Sequence, residues 1–112
     1  MVNVKNQQIN ILSAPCFLAT KFEAFNGRGK DLRTSHDIED IIYVLDNRIN
    51  IVEEILTSDE RIKLFLIEQL NKIIAQGMLN EVLVTHIHPL MLEQRLPLIE
   101  EKINLILIGG NT

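Results

Sequence analysis

Helix-boundary signals divide this chain more firmly than any other feature of its sequence. Ser13 followed by Ala14-Pro15 is a helix start. The serine side chain can cap free backbone N–H groups, and a proline in the first turn forfeits no hydrogen bond. Thr34 with Asp37 three residues on, and the TSDE run from Thr57 to Glu60, are capping-box patterns that open two more helices. The NGRG run from Asn26, then Gly77, then Gly109-Gly110 are the matching stops. Segments this short are marginal alone, so they have to pack on one another.

The apolar spacing between these boundaries is helical. Phe17, Leu18, Phe22 and Phe25 form one stripe of a first helix that should end near Phe25. Ile38, Ile41, Ile42 and Leu45 form the stripe of a second, over HDIEDIIYVLDNR. A third, INIVEEIL, should stop at Thr57, and RIKLFLIEQLNKIIAQ supplies about four turns before Gly77. Residues 78 to 88 form another helix. The apolar run from Leu98 to Ile108 follows Pro97, a good first-turn residue, with Gly109-Gly110 as its C-cap. Before Ser13, Val2, Val4, Ile9 and Ile11 alternate as strand residues do. The expected fold is therefore mainly α: four to six helices with one or two short N-terminal β-strands, in a single helical domain over residues 1–112.

Composition agrees and excludes several classes. Hydrophobic residues make up 46% of the 112, enough for a helical core and too many for a disordered chain. The net charge of −4 gives no broad nucleic-acid surface. One cysteine, Cys16, excludes an internal disulfide, fits a reducing cytosol and reads as a small apolar filler. Ile11 to Ala19 has the apolarity of a secretory-signal core. The polar NQQIN before it and Pro15 within it argue against that, and no run is long enough for a membrane span. A cytoplasmic protein is expected.

One residue breaks the first stripe. Lys21 stands midway between Phe17 and Phe25, where a hydrated ammonium needs a partner. Helices joined by a ten-residue loop, NGRGKDLRTS, should pack antiparallel. In the second helix Asp37, Asp40, Ile41 and Val44 share a face, so Lys21 and Asp37 can meet near the loop. That loop also carries Arg28, Lys30 and Arg33 against Asp31 alone, and its glycines leave backbone N–H groups free to turn toward an anion. Two readings fit this pattern. One is an ion pair between Lys21 and Asp37 or Asp40 beside a solvated basic loop. The other is an anion site of the kind that takes phosphate.

The segment LSAPCFLATKFEAFNGRGKDLRTSHDIEDIIYVLDNR resembles the second half of the AbiEii/AbiGii-type nucleotidyltransferases, the toxin-like branch of the polymerase-β-fold superfamily. In that family a strand leads into a helix bearing K-x-x-A-x-x-x-R, matched here by Lys21, Ala24 and Arg28. A second helix bears R-D-x-x-D, matched by Asp37 and Asp40, with His36 in place of the common arginine. The resemblance covers about residues 9 to 48; over residues 49–112 only helical character fits. It implies that Lys21 contacts nucleotide phosphates, with Arg28, Lys30 and Arg33 beside it. It also implies that Asp37 assists catalysis, with Asp40 as a supporting carboxylate. A nucleoside triphosphate and Mg²⁺ are implied by the family only. The metal carboxylates there stand on a strand, as hG[GS] followed by D-x-[DE]. The DIE run at Asp37 is on a predicted helix, where its carboxylates point apart, and ILIGGNT has no acid after its glycines. The chain thus reads as a helical half without the metal site, expected to be inactive and to bind no metal alone.

The competing class is a non-catalytic helical interaction module. Partners follow in either case: the missing half, or a homodimer. The strand at Ile9 to Leu12 would lack its sheet, and Phe17, Phe22, Phe25, Leu64 and Ile67 offer more apolar surface than a small bundle covers. Weaker patterns remain. His86 and His88 could present two imidazoles on one side of a strand, although Pro89 marks a turn and no third ligand is near. The RTSH run from Arg33 has the residue types, but not the spacing, of an arginine–histidine ribonuclease motif. Glu53-Glu54 and Glu100-Glu101 read as solvated helix faces.

Overall fold

The computed structural model describes residues 13–29 and 31–110; the alternating segment read as strands, residues 2–12, lies outside them. The described residues are mainly helical, in six helices: α1 (Ala14–Arg28), α2 (His36–Asn47), α3 (Ile51–Leu56), α4 (Glu60–Ala75), α5 (Leu79–His86) and α6 (Leu92–Gly110).

Ser13 caps α1 from an extended backbone, its Oγ accepting from the Cys16 N–H at 3.3 Å. The helix passes its expected end at Phe25 and runs to Arg28. Gly27 stays helical, and the stop falls at Gly29, whose φ of 64° is left-handed and costs a residue without Cβ little. The second cap is Ser35 rather than Thr34, with its hydroxyl 3.2 Å from the Ile38 N–H. Thr34 is taken up by the preceding turn, where its N–H donates to the Asp31 carbonyl. The third cap is likewise Asp59, which accepts from the Arg61 N–H at 2.9 Å, while Thr57 closes α3.

The largest departure is α6. It begins at Leu92, so Pro97 sits inside the helix instead of opening it. Proline there deprives the Glu93 carbonyl of its usual donor. Tertiary contacts hold the early turns: Leu92 and Leu96 pack on the core, and Arg95 is tied to Asp46. Gly109 and Gly110 are helical too. A Cβ on Gly109 would lie 2.6 Å from a Leu56 methyl, and one on Gly110 would collide with Ile67. These glycines therefore let the end of α6 approach α3 and α4 closely.

The core lies where α1, α2, α4 and α6 turn their stripes inward. All four predicted α2 residues, Ile38, Ile41, Ile42 and Leu45, are buried, as are Leu66 and Leu70 of α4 and Ile99, Ile103 and Ile106 of α6. Each contributes about 1.5–3 kcal/mol by leaving water. Phe22 and Ile67, expected as surplus surface, belong to this core, while Leu64 is half exposed. No helix among the described residues is long and apolar enough to cross a membrane.

Candidate functional site

Charged side chains of α1 and α2 meet along the contact between these two helices. Lys21 Nζ lies 2.8 Å from Asp40 Oδ2 and 3.9 Å from Asp37 Oδ1; Arg28 Nη1 lies 3.2 Å from Asp37 Oδ2. The earlier residue on α1 pairs with the later one on α2, so the helices run antiparallel. The ring of Phe17 adds a face 5.4 Å from the Lys21 ammonium, close enough for a cation–π attraction.

Burial within the cluster is uneven, and that ranks its members. The Asp37 side chain is 5% exposed, whereas those of Asp40 and Arg28 are 47% and 60% exposed. A carboxylate so enclosed needs charged or N–H partners in place of water. Asp37 has them in Arg28, in the more distant Lys21 and in the first turn of α2, whose positive end favours an acid. Asp40 faces water and holds Lys21 from the outside. The cluster is electrically balanced, two cations to two carboxylates.

The rest of the sequence-based set does not converge here. Arg33 turns away to Asp31, at 3.2 Å, and to Glu81 of α5, at 3.4 Å. Its hydrogen bonds hold the Asp31 carboxyl below the ordinary aspartate range, and Asp31 in turn raises the Arg33 guanidinium. Lys30 lies outside the described residues. His36 is exposed and pairs with Glu39 at 3.2 Å, which leaves Glu39 pointing away from Asp37. The HIH segment is not a strand. His86 ends α5 with its Nε2 2.9 Å from the Leu32 carbonyl, and His88 Nδ1 accepts from the Leu90 N–H in the following turn. Among the described residues no three His, Cys, Asp or Glu side chains are grouped to hold a metal ion. Glu54, read as a solvated face, is instead held by Arg48 at 2.6 Å.

Two constellations had no signal in the sequence. Arg95 and Lys102 reach from α6 to the end of α2: Arg95 binds the Asp46 carboxylate and carbonyl, and the Lys102 ammonium donates to the carbonyls of Leu45, Asp46 and Arg48. Gln69 of α4 is buried, and its Oε1 accepts from Asn26 Nδ2 of α1 at 3.2 Å. Each pairing spans more than 40 positions, beyond what local spacing encodes.

Comparison with protein-family models, with curated proteins and with solved structures gives no match to this chain.

Proposed function

We propose that this chain is the helical, nucleotide-binding half of a nucleotidyltransferase-type protein, with Lys21 and Arg28 toward the phosphates and Asp37 as the carboxylate nearest the chemistry. One observation carries the reading: the four charged residues matching the two family motifs, Lys21, Arg28, Asp37 and Asp40, form a single cluster although they span 20 sequence positions. Phosphoryl chemistry asks chiefly for charge neutralisation and positioning, which an ammonium and a guanidinium on rigid helices supply. An arriving phosphate would take over Lys21 from the exposed Asp40, while Arg28 and the start of α2 hold Asp37 in place. Asp37 and Asp40 do not fit as a Mg²⁺ site, because both are already engaged by cations. No step is therefore routed through a metal here, and these residues alone are proposed to transfer no nucleotide.

A second reading, a non-catalytic helical interaction module, is favoured by the charge balance, since the two cations already have carboxylate partners. Titration with ATP separates the two. On the first reading ATP raises the melting temperature of the wild type and leaves that of Lys21→Met unchanged, and labelled nucleotides with Mg²⁺ or Mn²⁺ yield no product. No response of either protein to ATP would leave the interaction module standing. Product formation lost on Asp37→Ala would overturn the claim that the chain is inactive alone.

A further inference from the structure

A groove of about 470 Å³ opens between the second half of α1, the α1–α2 loop and the last turns of α4. It is separate from the Lys21–Asp37 cluster. Phe25, Leu32, Ile73 and Met78 give it apolar walls, and Gln69 and Asn26 line it together. Its size falls among small-ligand pockets, which run from about 300 to 1,000 Å³ and pair apolar walls with a few placed polar groups.

The polar groups define what could bind. Gln69 is 6% exposed, and only its carbonyl oxygen is matched, by Asn26. Its NH₂ has no partner among the described residues, an unusual state for a buried amide, because an unmet donor costs free energy. Arg33 is already matched by Asp31 and Glu81. Lys72 is not: it lines the groove, is exposed, and has no carboxylate partner among the described residues. An unmet N–H donor and an unmatched cation both ask for an anionic acceptor, and the walls ask for an apolar body behind it.

We propose that this groove binds a small carboxylate with an apolar body, its head between Gln69 Nε2 and the Lys72 ammonium. Octanoate is the probe, with octanol as the same body without charge, octylammonium as the opposite charge and acetate as the head alone. By calorimetry and ¹⁵N-resolved NMR, octanoate is expected to bind one-to-one and to move the Gln69 side-chain NH₂ resonances. Octanol should bind at least tenfold more weakly, and acetate and octylammonium not measurably. Lys72 is exposed, so Lys72→Met is expected to fold normally. It should cost octanoate about tenfold while leaving octanol unchanged. Equal binding of octanoate and octanol would overturn the proposal, as would octanoate binding that leaves the Gln69 resonances in place. No octanoate binding at all would overturn it too. None of these outcomes depends on Lys21, so the nucleotide reading stands or falls separately.

Discussion

Lys21 and Arg28 look interchangeable as cations beside Asp37, yet the geometry gives them different weights. Spacing on the two helix faces was enough to predict that Lys21 meets the α2 aspartates. It could not say which one, because that depends on the depth at which the loop sets one helix against the other. The close partner is Asp40, half exposed, and the enclosed Asp37 takes Arg28 instead. Removing Lys21 therefore strands a carboxylate that water can solvate, a loss of about 1 kcal/mol or less, as for exposed ion pairs. Removing Arg28 leaves the enclosed carboxylate with Lys21, 3.9 Å away, as its one cation among the described residues, and an under-satisfied buried charge costs about 1–3 kcal/mol or more. Urea unfolding of Lys21→Met and Arg28→Met should rank them in that order. The reverse ranking would mean that Lys21 is the ion that keeps Asp37 in the fold. Arg33 and Lys30 joined the predicted site only through proximity in sequence. Arg33 leaves it for Glu81, a contact no local pattern encodes.

At the level of elements, what could be read in advance was what each helix settles within its own turns. Ser13 was legible because cap and capped N–H lie three residues apart. Thr34 and Thr57 were misplaced by one and two positions because neighbouring Ser35 and Asp59 compete for the same role, and the turn before each helix decides between them. Pro97 misled for a different reason: the turns of α6 before it depend on contacts with α2. That contact also supplies the end of α2 with donors. The last carbonyls of a helix lack intrahelical partners, and Lys102 binds three carbonyls there. Burial pulls the Lys102 ammonium below its ordinary value, against the attraction of Asp46. Lys102→Met should lower stability by about 1–3 kcal/mol, because carbonyls at a packed helix end are left unmet. A loss near zero would mean that water replaces the ammonium freely.

The link from α2 to α3 is sensitive to acid. Hydrogen bonds from Arg48 hold the Glu54 carboxyl below its ordinary 4.5, so the folded state keeps it ionised where the unfolded chain takes up a proton. Its contribution is complete above about 4.5 and is lost as pH falls through the folded-state value. The pair is partly exposed, so the effect is small and screened by salt. Melting temperatures of wild type and Glu54→Gln should differ at neutral pH and converge in acid. A gap that stays constant into acid would remove Arg48–Glu54 as its source.

For the whole molecule, the apolar surplus lies only in part where it was expected: Leu64 is half exposed. Phe22 and Ile67 are covered, and an uncovered stripe runs along the outer face of α6, where Leu98 and Leu105 stand seven residues apart, Ile108 follows, and Met91 precedes the helix by one residue at the same spacing. A seven-residue spacing keeps side chains on one side of a helix, as in a coiled-coil seam. Its inward stripe, Ile99, Ile103 and Ile106, faces the opposite way, so α6 is apolar on both sides. A second copy can cover that stripe through a two-fold axis, the commonest symmetry. Two features would keep such a pairing weak. One pair of helices buries less than the roughly 1,200–2,000 Å² of a stable interface. Glu101 also lies between Leu98 and Leu105, where a two-fold axis brings two like charges near one another. Light scattering at micromolar concentration should show exchange between the 12.8 kDa chain and twice that mass. Glu101→Leu should shift it to the dimer, and Leu98→Glu with Leu105→Glu should leave only monomer. If the N-terminal segment carries the pairing instead, deleting residues 1–12 will dissociate the dimer and Glu101→Leu will not tighten it. A Glu101→Leu protein that stays monomeric would show that this stripe is not a seam between copies.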